Sequence, residues 1–451
     1  MYDTIYENKP IHRLIFTFSV PAVLSLLMEI LTSVVDTAFA GHLGETSEAA
    51  LTAMGLLSPV LSLFTAIQAL FAVSTSILLA RHLKNHVLRD RYLLTGLLCT
   101  FFVSTVVSVS AFLGIGPLLT ALGAQGEVYA LAQEYLTIQL VSHVFSALGY
   151  TLTSCIRALG DPNAEMCITT GAVAVNITGN TLFAFGFRMD FAGLAWGTLV
   201  SEICCTLFSI RWVWKHGYFP SMTAISRRHF LPCAWELFRL GIAQTTIQAL
   251  AGFTGLFVNR SLLLYGAANS VAVWNVVQKL YTLLLMPVVG ITQGVQTIIA
   301  YFDGHGQSHQ NRKTIFMTFA GTVVYGLAAT AAVFYLGEQA LLPFGLSGAF
   351  LSESAAVLKI LFVTFPLVGL FYTLLTVFEV TGHEVAAVLL TLTRQVFLML
   401  PLVSLLPVLF TGLRHAVFWA VPAADVLVLL LTLVGWGVKR RRMESSAPLR
   451  S

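Results

Sequence analysis

Residues 32–44, TSVVDTAFAGHLG, decide the fold because they place a carboxylate inside a long apolar segment. The segment begins near Ile15, so Asp36 must lie within a membrane-spanning helix. Glu29 lies seven residues earlier, two helical turns away on nearly the same face. An ionised side chain in hydrocarbon costs at least a few kcal/mol, so two acids kept on one face indicate a functional site.

The composition indicates a polytopic membrane protein. The chain has 451 residues, of which 57% are hydrophobic and only 10% are charged, whereas a soluble protein carries about 25% charged residues. The apolar runs are long enough to cross a membrane as helices. They are apolar on all sides, which excludes the alternating strands of a β-barrel. We therefore expect an all-α membrane protein.

Apolar runs of spanning length predict about twelve transmembrane helices. They fall at about 13–40, 53–80, 93–115, 128–153, 166–187, 191–213, 237–264, 271–300, 314–336, 354–380, 385–409 and 415–437.

The distribution of basic residues predicts the orientation. An even number of spans puts both termini on one side, and the basic run 439–442 assigns that side to the cytoplasm. The even-numbered connections are rich in lysine and arginine, and the opposite connections are poor in them. We expect a multi-pass protein of the cell (plasma or inner) membrane with both termini cytoplasmic.

Two halves of the chain resemble each other at a separation of about 222 residues. Gly44 corresponds to Gly266, and Gly160 corresponds to Gly382. Each half has six predicted helices, so the repeats are parallel and form two pseudo-symmetric lobes, a layout typical of alternating-access transporters. The predicted divisions are an N-terminal lobe at 1–213, a cytoplasmic linker at 214–236, a C-terminal lobe at 237–438 and a basic tail at 439–451.

Polar side chains recur on the fifth and sixth predicted helices. Asn176 and Asn180 are four residues apart, as are Thr198 and Glu202, so each pair presents one polar stripe. Such oxygens suit a proton relay or a small hard cation such as Na⁺. Hydrogen bonding between helices explains Asn176, Asn180 and Thr198 equally well. Glu202 could instead reach water or Arg157.

The second half is poorer in acids. Its candidate cavity residues are Gln248, Gln278 and Lys279, and Lys279 is either a buried counter-charge or a side chain that snorkels to the interface. Glu379 and Arg394 lie at the inner ends of the tenth and eleventh helices, where we expect them to pair. Asp425 is a weaker intramembrane candidate.

Motifs of the common enzyme classes do not occur. The sequence contains no P-loop, no GxSxG and no HExxH, so it indicates neither an enzyme nor an ATP-driven pump. Nucleic-acid binding has no basis beyond the short basic tail, and no cofactor other than a coupling ion, H⁺ or Na⁺, is expected.

Several pieces of the chain resemble the multidrug and toxic compound extrusion (MATE) transporters of the MOP superfamily, in the same order along essentially its whole length. They are VDTAFAGHLG at 35–44, EYL at 134–136, RALGDP at 157–162, GLAWGT at 193–198, GITQGVQ at 290–296, RQV at 394–396 and PAAD at 422–425.

The resemblance implies antiport of small molecules, often amphipathic organic cations, against H⁺ or Na⁺ across a central cavity. Asp36 occupies the position of the main cation-coupling acid in prokaryotic members, and Asn176 and Thr198 match its neighbours. The family has an aspartate where this chain has Asn180, so Glu29 or Glu202 is the candidate for the missing charge. We expect a monomer surrounded by membrane lipids, with a Na⁺ site, if there is one, at Asp36, Asn176, Asn180 and Thr198.

A lipid-linked oligosaccharide or lipid flippase of the same superfamily is the alternative. Such flippases usually hold a pyrophosphate with several cationic residues in the cavity. Here the first half is acidic, and Lys279 with Arg260 are the contrary signs.

Overall fold

Helices joined by short turns make up the structure, a computed structural model. It describes residues 5–43, 46–220, 227–265, 270–342, 348–410 and 415–445, except for some side chains within the helices. Helices α1–α8 are Ile5–Asn8, Ile11–Ala40, Ser47–Arg81, His86–Leu113, Ile115–Ala121, Gly126–Ala158, Pro162–Asn180 and Asp190–Lys215. Helices α9–α16 are Arg227–Tyr265, Ser270–Gly304, Ser308–Leu341, Gly348–Phe362, Phe365–Val380, Glu384–Leu392, Leu400–Leu409 and Ala420–Ser445.

The helices confirm the all-α membrane fold. Eight of those described are long and apolar enough to span a membrane, and the bent pair α12–α13 adds a ninth. Helices α6, α9 and α16 lie on three further predicted spans. Large apolar side chains such as Phe16 and Phe316 are more than 70% exposed, as expected for side chains that contact lipid.

One compact unit comprises Met1–Ala249, Val289–Ile315 and Glu379–Glu384. Its core clusters around Leu57, Tyr135 and Phe191, and the rings of Tyr135 and Phe191 stack at 4.5 Å. Polar side chains cap the starts of two of its helices. Asn85 accepts a hydrogen bond from the amide of Leu88 at the start of α4, and Asp161 accepts one from the amide of Ala164 at the start of α7.

A second compact unit comprises Leu250–Val288, Phe316–Phe378 and Val385–Ser451, with a core that includes Tyr281, Phe362 and Phe365. The predicted tenth span is not one continuous helix, which corrects the sequence interpretation. Helices α12 and α13 meet at a bend of 46°. The cause is Pro366, which has no amide hydrogen to bond the carbonyl of Phe362. The hydroxyl of Thr330 donates to that carbonyl at 2.9 Å instead.

The internal repeat recurs in tertiary contacts. In the first unit the hydroxyls of Thr100 and Thr151 are 3.2 Å apart, and in the second those of Thr322 and Thr373 are 3.3 Å apart. Gly160 and Gly382 both adopt positive φ, 101° and 79°, where their helices end. Gly44 and Gly266 lie outside the described residues. The predicted lobe boundaries stay a prediction; around the predicted linker, α8 ends at Lys215 and α9 begins at Arg227.

Candidate functional site

A chain of hydrogen bonds joins the polar residues of the first unit. The Asn180 amide nitrogen donates to Asp36 Oδ1 at 2.5 Å and to Asn176 Oδ1 at 3.1 Å. The Asn176 amide nitrogen donates to Thr198 Oγ1 at 3.3 Å. The structure therefore brings together the four residues that the sequence singles out, from helices α2, α7 and α8.

The close approach of α7 and α8 depends on glycine. A Cβ on Gly197 would lie 2.1 Å from Asn180 Oδ1, and a Cβ on Gly193 would lie 2.5 Å from the amide nitrogen of Ala184. Gly193 and Gly197 form a small-xxx-small pattern on α8, which lets helix backbones pack closely in a membrane. The sequence carries this signal within GLAWGT at 193–198, yet the packing role of the two glycines was not predicted.

The helix geometry also changes at the site. Helix α7 ends at Asn180 and continues as a π-helical turn, Thr181–Gly186. Such turns occur frequently at functional sites because they redirect side chains within a helix. A second π-helical segment, Thr393–Met399, interrupts the predicted eleventh span between α14 and α15. Neither segment was predicted from the sequence.

The arrangement combines one carboxylate with neutral oxygens. Asn176 and Asn180 are 2% and 0% exposed, whereas Asp36 is half-buried. Within the described part of the chain, Asn180 Oδ1 is buried without a hydrogen-bond partner. A carboxylate, two amides and a hydroxyl can hold a proton or coordinate a hard cation through oxygen. The described residues hold no cluster of three or more His, Cys, Asp or Glu side chains suited to a transition metal.

Glu29 and Glu202 lie apart from this chain of hydrogen bonds. Seven residues of helix place Glu29 about 10 Å from Asp36 along α2. Glu29 is exposed, whereas Glu202 is half-buried, hydrogen-bonds Ser146 and is close enough to Glu29 for electrostatic repulsion. The two acids therefore form a separate group.

Of the two alternatives for Glu202, contact with water or with Arg157, the second does not occur because Arg157 pairs with another acid. Arg157 forms a buried ion pair with Glu165 at 3.1 Å, with both side chains about 95% buried. A buried ion pair needs close geometry to offset desolvation, and this one joins the end of α6 to the start of α7. Glu165 was missed because it lies in the first turn of α7, where acids are common helix-dipole partners.

The candidate cavity residues of the second half are Gln248, Gln278 and Lys279. Gln278 is half-buried and Lys279 is exposed, as expected for a lysine that snorkels. The side chain of Gln248 lies outside the described residues. Their assignment to a substrate cavity stays a prediction.

The MatE family model matches residues 21–182 and 245–405, which is well over half of the sequence. The chain belongs to the MatE family. This confirms the resemblance to the MATE transporters.

Curated relatives of this MatE protein extend over nearly its whole length. The Multidrug export protein MepA of Staphylococcus aureus (strain MRSA252) is 24% identical over 437 residues, covering 95% of this chain and 94% of the relative. The Multidrug export protein MepA of Staphylococcus saprophyticus is 23% identical over 448 residues, covering 98% of each chain.

Solved structures share the MatE fold. A MATE in complex with MaL6 has a TM-score of 0.89 at 20% identity, with 99% of each chain covered. A MOP superfamily transporter from Pyrococcus furiosus, described as having a binding pocket of reverse polarity that suggests a different function, has a TM-score of 0.88 at 20% identity and the same coverage. These likenesses show the fold alone.

A buried ion pair lies in the second unit of the MatE protein. Arg394 Nε donates to Asp425 Oδ1 at 2.7 Å, and the hydroxyl of Thr364 donates to Asp425 Oδ2 at 3.1 Å. The guanidinium of Arg394 also lies over the ring of Phe371 at 4.9 Å.

The expected pairing of Glu379 with Arg394 is therefore wrong. The buried carboxylate of Glu379 accepts a hydrogen bond from the amide of Gln296 at 3.3 Å instead. The pair was predicted because both residues lie near the predicted ends of neighbouring helices. That position does not determine which faces of the two helices meet.

Proposed function

We propose that this MatE protein exports small molecules, of the amphipathic organic cation class, in exchange for H⁺ or Na⁺. The observation that carries the proposal is the hydrogen-bonded chain from Asp36 through Asn180 and Asn176 to Thr198. The relatives named as multidrug export proteins support export of small molecules. The protein would act as a monomer in the cell membrane with both termini in the cytoplasm, in accordance with its basic connections.

Ion binding and substrate binding would be linked through Asp36. The Asn180 amide donates to the carboxylate, and a charge-assisted bond of this kind stabilises the ionised form that attracts an organic cation. A proton would neutralise that carboxylate, whereas Na⁺ would use it together with the oxygens of Asn176, Asn180 and Thr198. Either ion then competes with the substrate, or the two favour opposite states of the transporter. Exchange by alternating access follows from that linkage.

The polarity of the site favours export of cations over the flippase alternative. The four hydrogen-bonded residues contribute one carboxylate and no cation, and the pyrophosphate of a lipid-linked sugar is an anion. Lys279, the main contrary sign in the sequence, is exposed.

The test is efflux of a fluorescent organic cation from proteoliposomes under an imposed pH gradient or an imposed Na⁺ gradient. Wild type, Asp36→Asn and Glu127→Gln would be compared. Glu127 is a matched control because it is an exposed carboxylate in the first turn of α6. We expect one gradient to drive efflux in the wild type and the control, and Asp36→Asn to lose it.

Wild-type efflux by Asp36→Asn with unchanged ion dependence would overturn the coupling mechanism. If neither gradient moves the cation in protein of verified orientation, the export proposal fails and lipid scrambling becomes the assay of choice.

A further inference from the structure

A cleft of about 420 Å³ lies in the first unit, where α2 and α11 begin. Its volume falls in the range of about 300–1,000 Å³ that is typical of small-molecule sites. Its polar lining comes from two segments that are about 300 residues apart in the chain. The lining residues are Glu7, Lys9, Pro10, Ile11, His12, His309, Gln310 and Lys313.

The basic side chains of the cleft lie at or near the N-terminal ends of α2 and α11. A helix N-terminus carries a partial positive charge, so acids stabilise it and bases do not. Neither α2 nor α11 has an acid in its first turn, and Pro10 gives α2 no side-chain cap. Instead, His12 lies in the first turn of α2, and His309 in that of α11, with Lys313 on the same face one turn later. Both helix ends and the side chains around them thus attract an anion.

The acid of the cleft is already engaged. Glu7, the carboxylate among the described lining residues, contacts Lys84 Nζ at 2.5 Å and accepts a hydrogen bond from the hydroxyl of Tyr301 at 3.0 Å. Lys9 is exposed and donates to the hydroxyl of Thr17 at 3.3 Å, which leaves two of its three hydrogens for another acceptor. The cleft therefore has unused donors and a net positive charge.

Exposed aromatic side chains continue from the cleft along both helices. Phe16 lies four residues after His12 on α2 and is 71% exposed, and Phe316 lies three residues after Lys313 on α11 and is 73% exposed. These spacings place each ring on the same helix face as its basic residue. An anion with attached acyl chains would contact both the basic cleft and the exposed aromatic side chains. Free phosphate would contact only the basic cleft.

We propose that this cleft binds the phosphate headgroup of an anionic phospholipid, with the acyl chains along Phe16 and Phe316. Basic pockets at the cytoplasmic ends of transmembrane helices are suited to such headgroups. Free phosphate shares the recognition chemistry, so the experiment must separate the two sources. The site is independent of the Asp36 chain and of the direction of transport.

The experiment compares wild type with two double variants of equal charge loss. Lys9→Gln/Lys313→Gln removes two cations from the cleft. Arg211→Gln/Lys215→Gln removes two exposed cations from the last turns of α8, at the same predicted membrane face but outside the cleft lining. Each full-length protein is reconstituted into phosphatidylcholine vesicles with and without phosphatidylglycerol. Retained phosphatidylglycerol is then counted by native mass spectrometry, with and without added inorganic phosphate.

We expect the wild type and the Arg211/Lys215 variant to retain phosphatidylglycerol. The Lys9/Lys313 variant should bind it about 30-fold more weakly, the product of a loss of about fivefold for each lysine. Equal retention of phosphatidylglycerol by both double variants would overturn the site, because the net charge of the protein, and not the position of the lysines, would then explain binding. Displacement of the lipid by millimolar inorganic phosphate, or phosphate binding without lipid retention, would overturn the lipid assignment.

Discussion

The resemblance to the MATE family implies an aspartate at the position of Asn180, and the amide found here donates hydrogen bonds that an ionised carboxylate could not. It donates to Asp36 and to Asn176 at once, at 2.5 and 3.1 Å. Two ionised carboxylates at that distance would repel, so they would have to share a proton. The amide allows a site with a single acid that can ionise alone.

Removing the amide donor of Asn180 should therefore impair the coupling of ion and substrate transport more than removing the hydroxyl of Thr198, which ends the chain of hydrogen bonds. Asn180→Leu keeps the approximate volume and loses a bond to a charged acceptor, worth about 1.5–3 kcal/mol. We expect gradient-driven efflux to fall by about tenfold or more. Thr198→Val loses a neutral bond of about 0.5–1.5 kcal/mol and should cost less. The reverse order in a proteoliposome efflux assay would contradict this role of the amide.

Gly197 is predicted to be intolerant of even one added carbon. Gly197→Ala would place a Cβ 2.1 Å from Asn180 Oδ1, so α7 and α8 must separate. We expect a loss of about 1–3 kcal/mol in the free energy of unfolding and a loss of efflux, measured by thermal unfolding in detergent and by transport. Gly171→Ala on α7 is the control, since a Cβ there meets nothing within 4 Å. Comparable losses in both variants would show that the close approach is unimportant.

At the scale of elements, the break between α12 and α13 is stabilised from α11. The hydroxyl oxygen of Thr330 lies 2.9 Å from the carbonyl oxygen of Phe362 and 2.8 Å from that of Gly326, so its single hydrogen is shared between the two acceptors. A Cβ on Gly326 would lie 2.6 Å from Pro366 Cα, so α11 packs against the break without a side chain between them. A broken helix is tolerated within a membrane when neighbouring groups satisfy the freed carbonyl.

Thr330→Val should test this stabilisation. The substitution keeps the shape and leaves the carbonyl of Phe362 without this donor, which should cost about 1–3 kcal/mol. The midpoint of thermal unfolding in detergent is therefore expected to fall. Thr178→Val is the matched control, because the exposed hydroxyl of Thr178 bonds the carbonyl of Ala174 within its own helix. An equal effect of both variants would mean that the break needs no external donor.

At the scale of the molecule, the sequence predicts the helices well and their irregularities poorly. The segments follow from apolar run length, and polar residues at a spacing of four predicted the stripe of Asn176 and Asn180. The break at Pro366 was missed because a proline is often tolerated within a transmembrane helix. The π-helical turn after Asn180 depends on packing against α8, and no local residue pattern encodes it.

Side-chain partners were less predictable than positions. Asp36 and Asn180 are 144 residues apart in the chain. They were predicted to share one site from the resemblance to the MATE family and from the spacing of four residues between Asn176 and Asn180. Arg394 was assigned the wrong partner, and the partner of Arg157 was not identified, because the choice depends on which helix faces meet. Their carboxylates, Glu165 and Asp425, lie on helices whose rotation is set by tertiary packing.

Arg394 and Asp425 are 31 residues apart, so ribosomes complete their helices one directly after the other. Arg394 lies ten residues inside the span Glu384–Leu409, and an arginine within a lone nascent span opposes insertion, by up to about 2.5–3.5 kcal/mol at the centre. Its counter-ion is available only after the last helix has been translated, so we expect the two helices to leave the translocon together as a hairpin. A nascent chain truncated after Leu409 should therefore insert its last span inefficiently, whereas the full chain inserts it, as protease protection of microsomal or vesicle-bound products would measure. Efficient insertion of the truncated chain would mean that biogenesis does not wait for the pair.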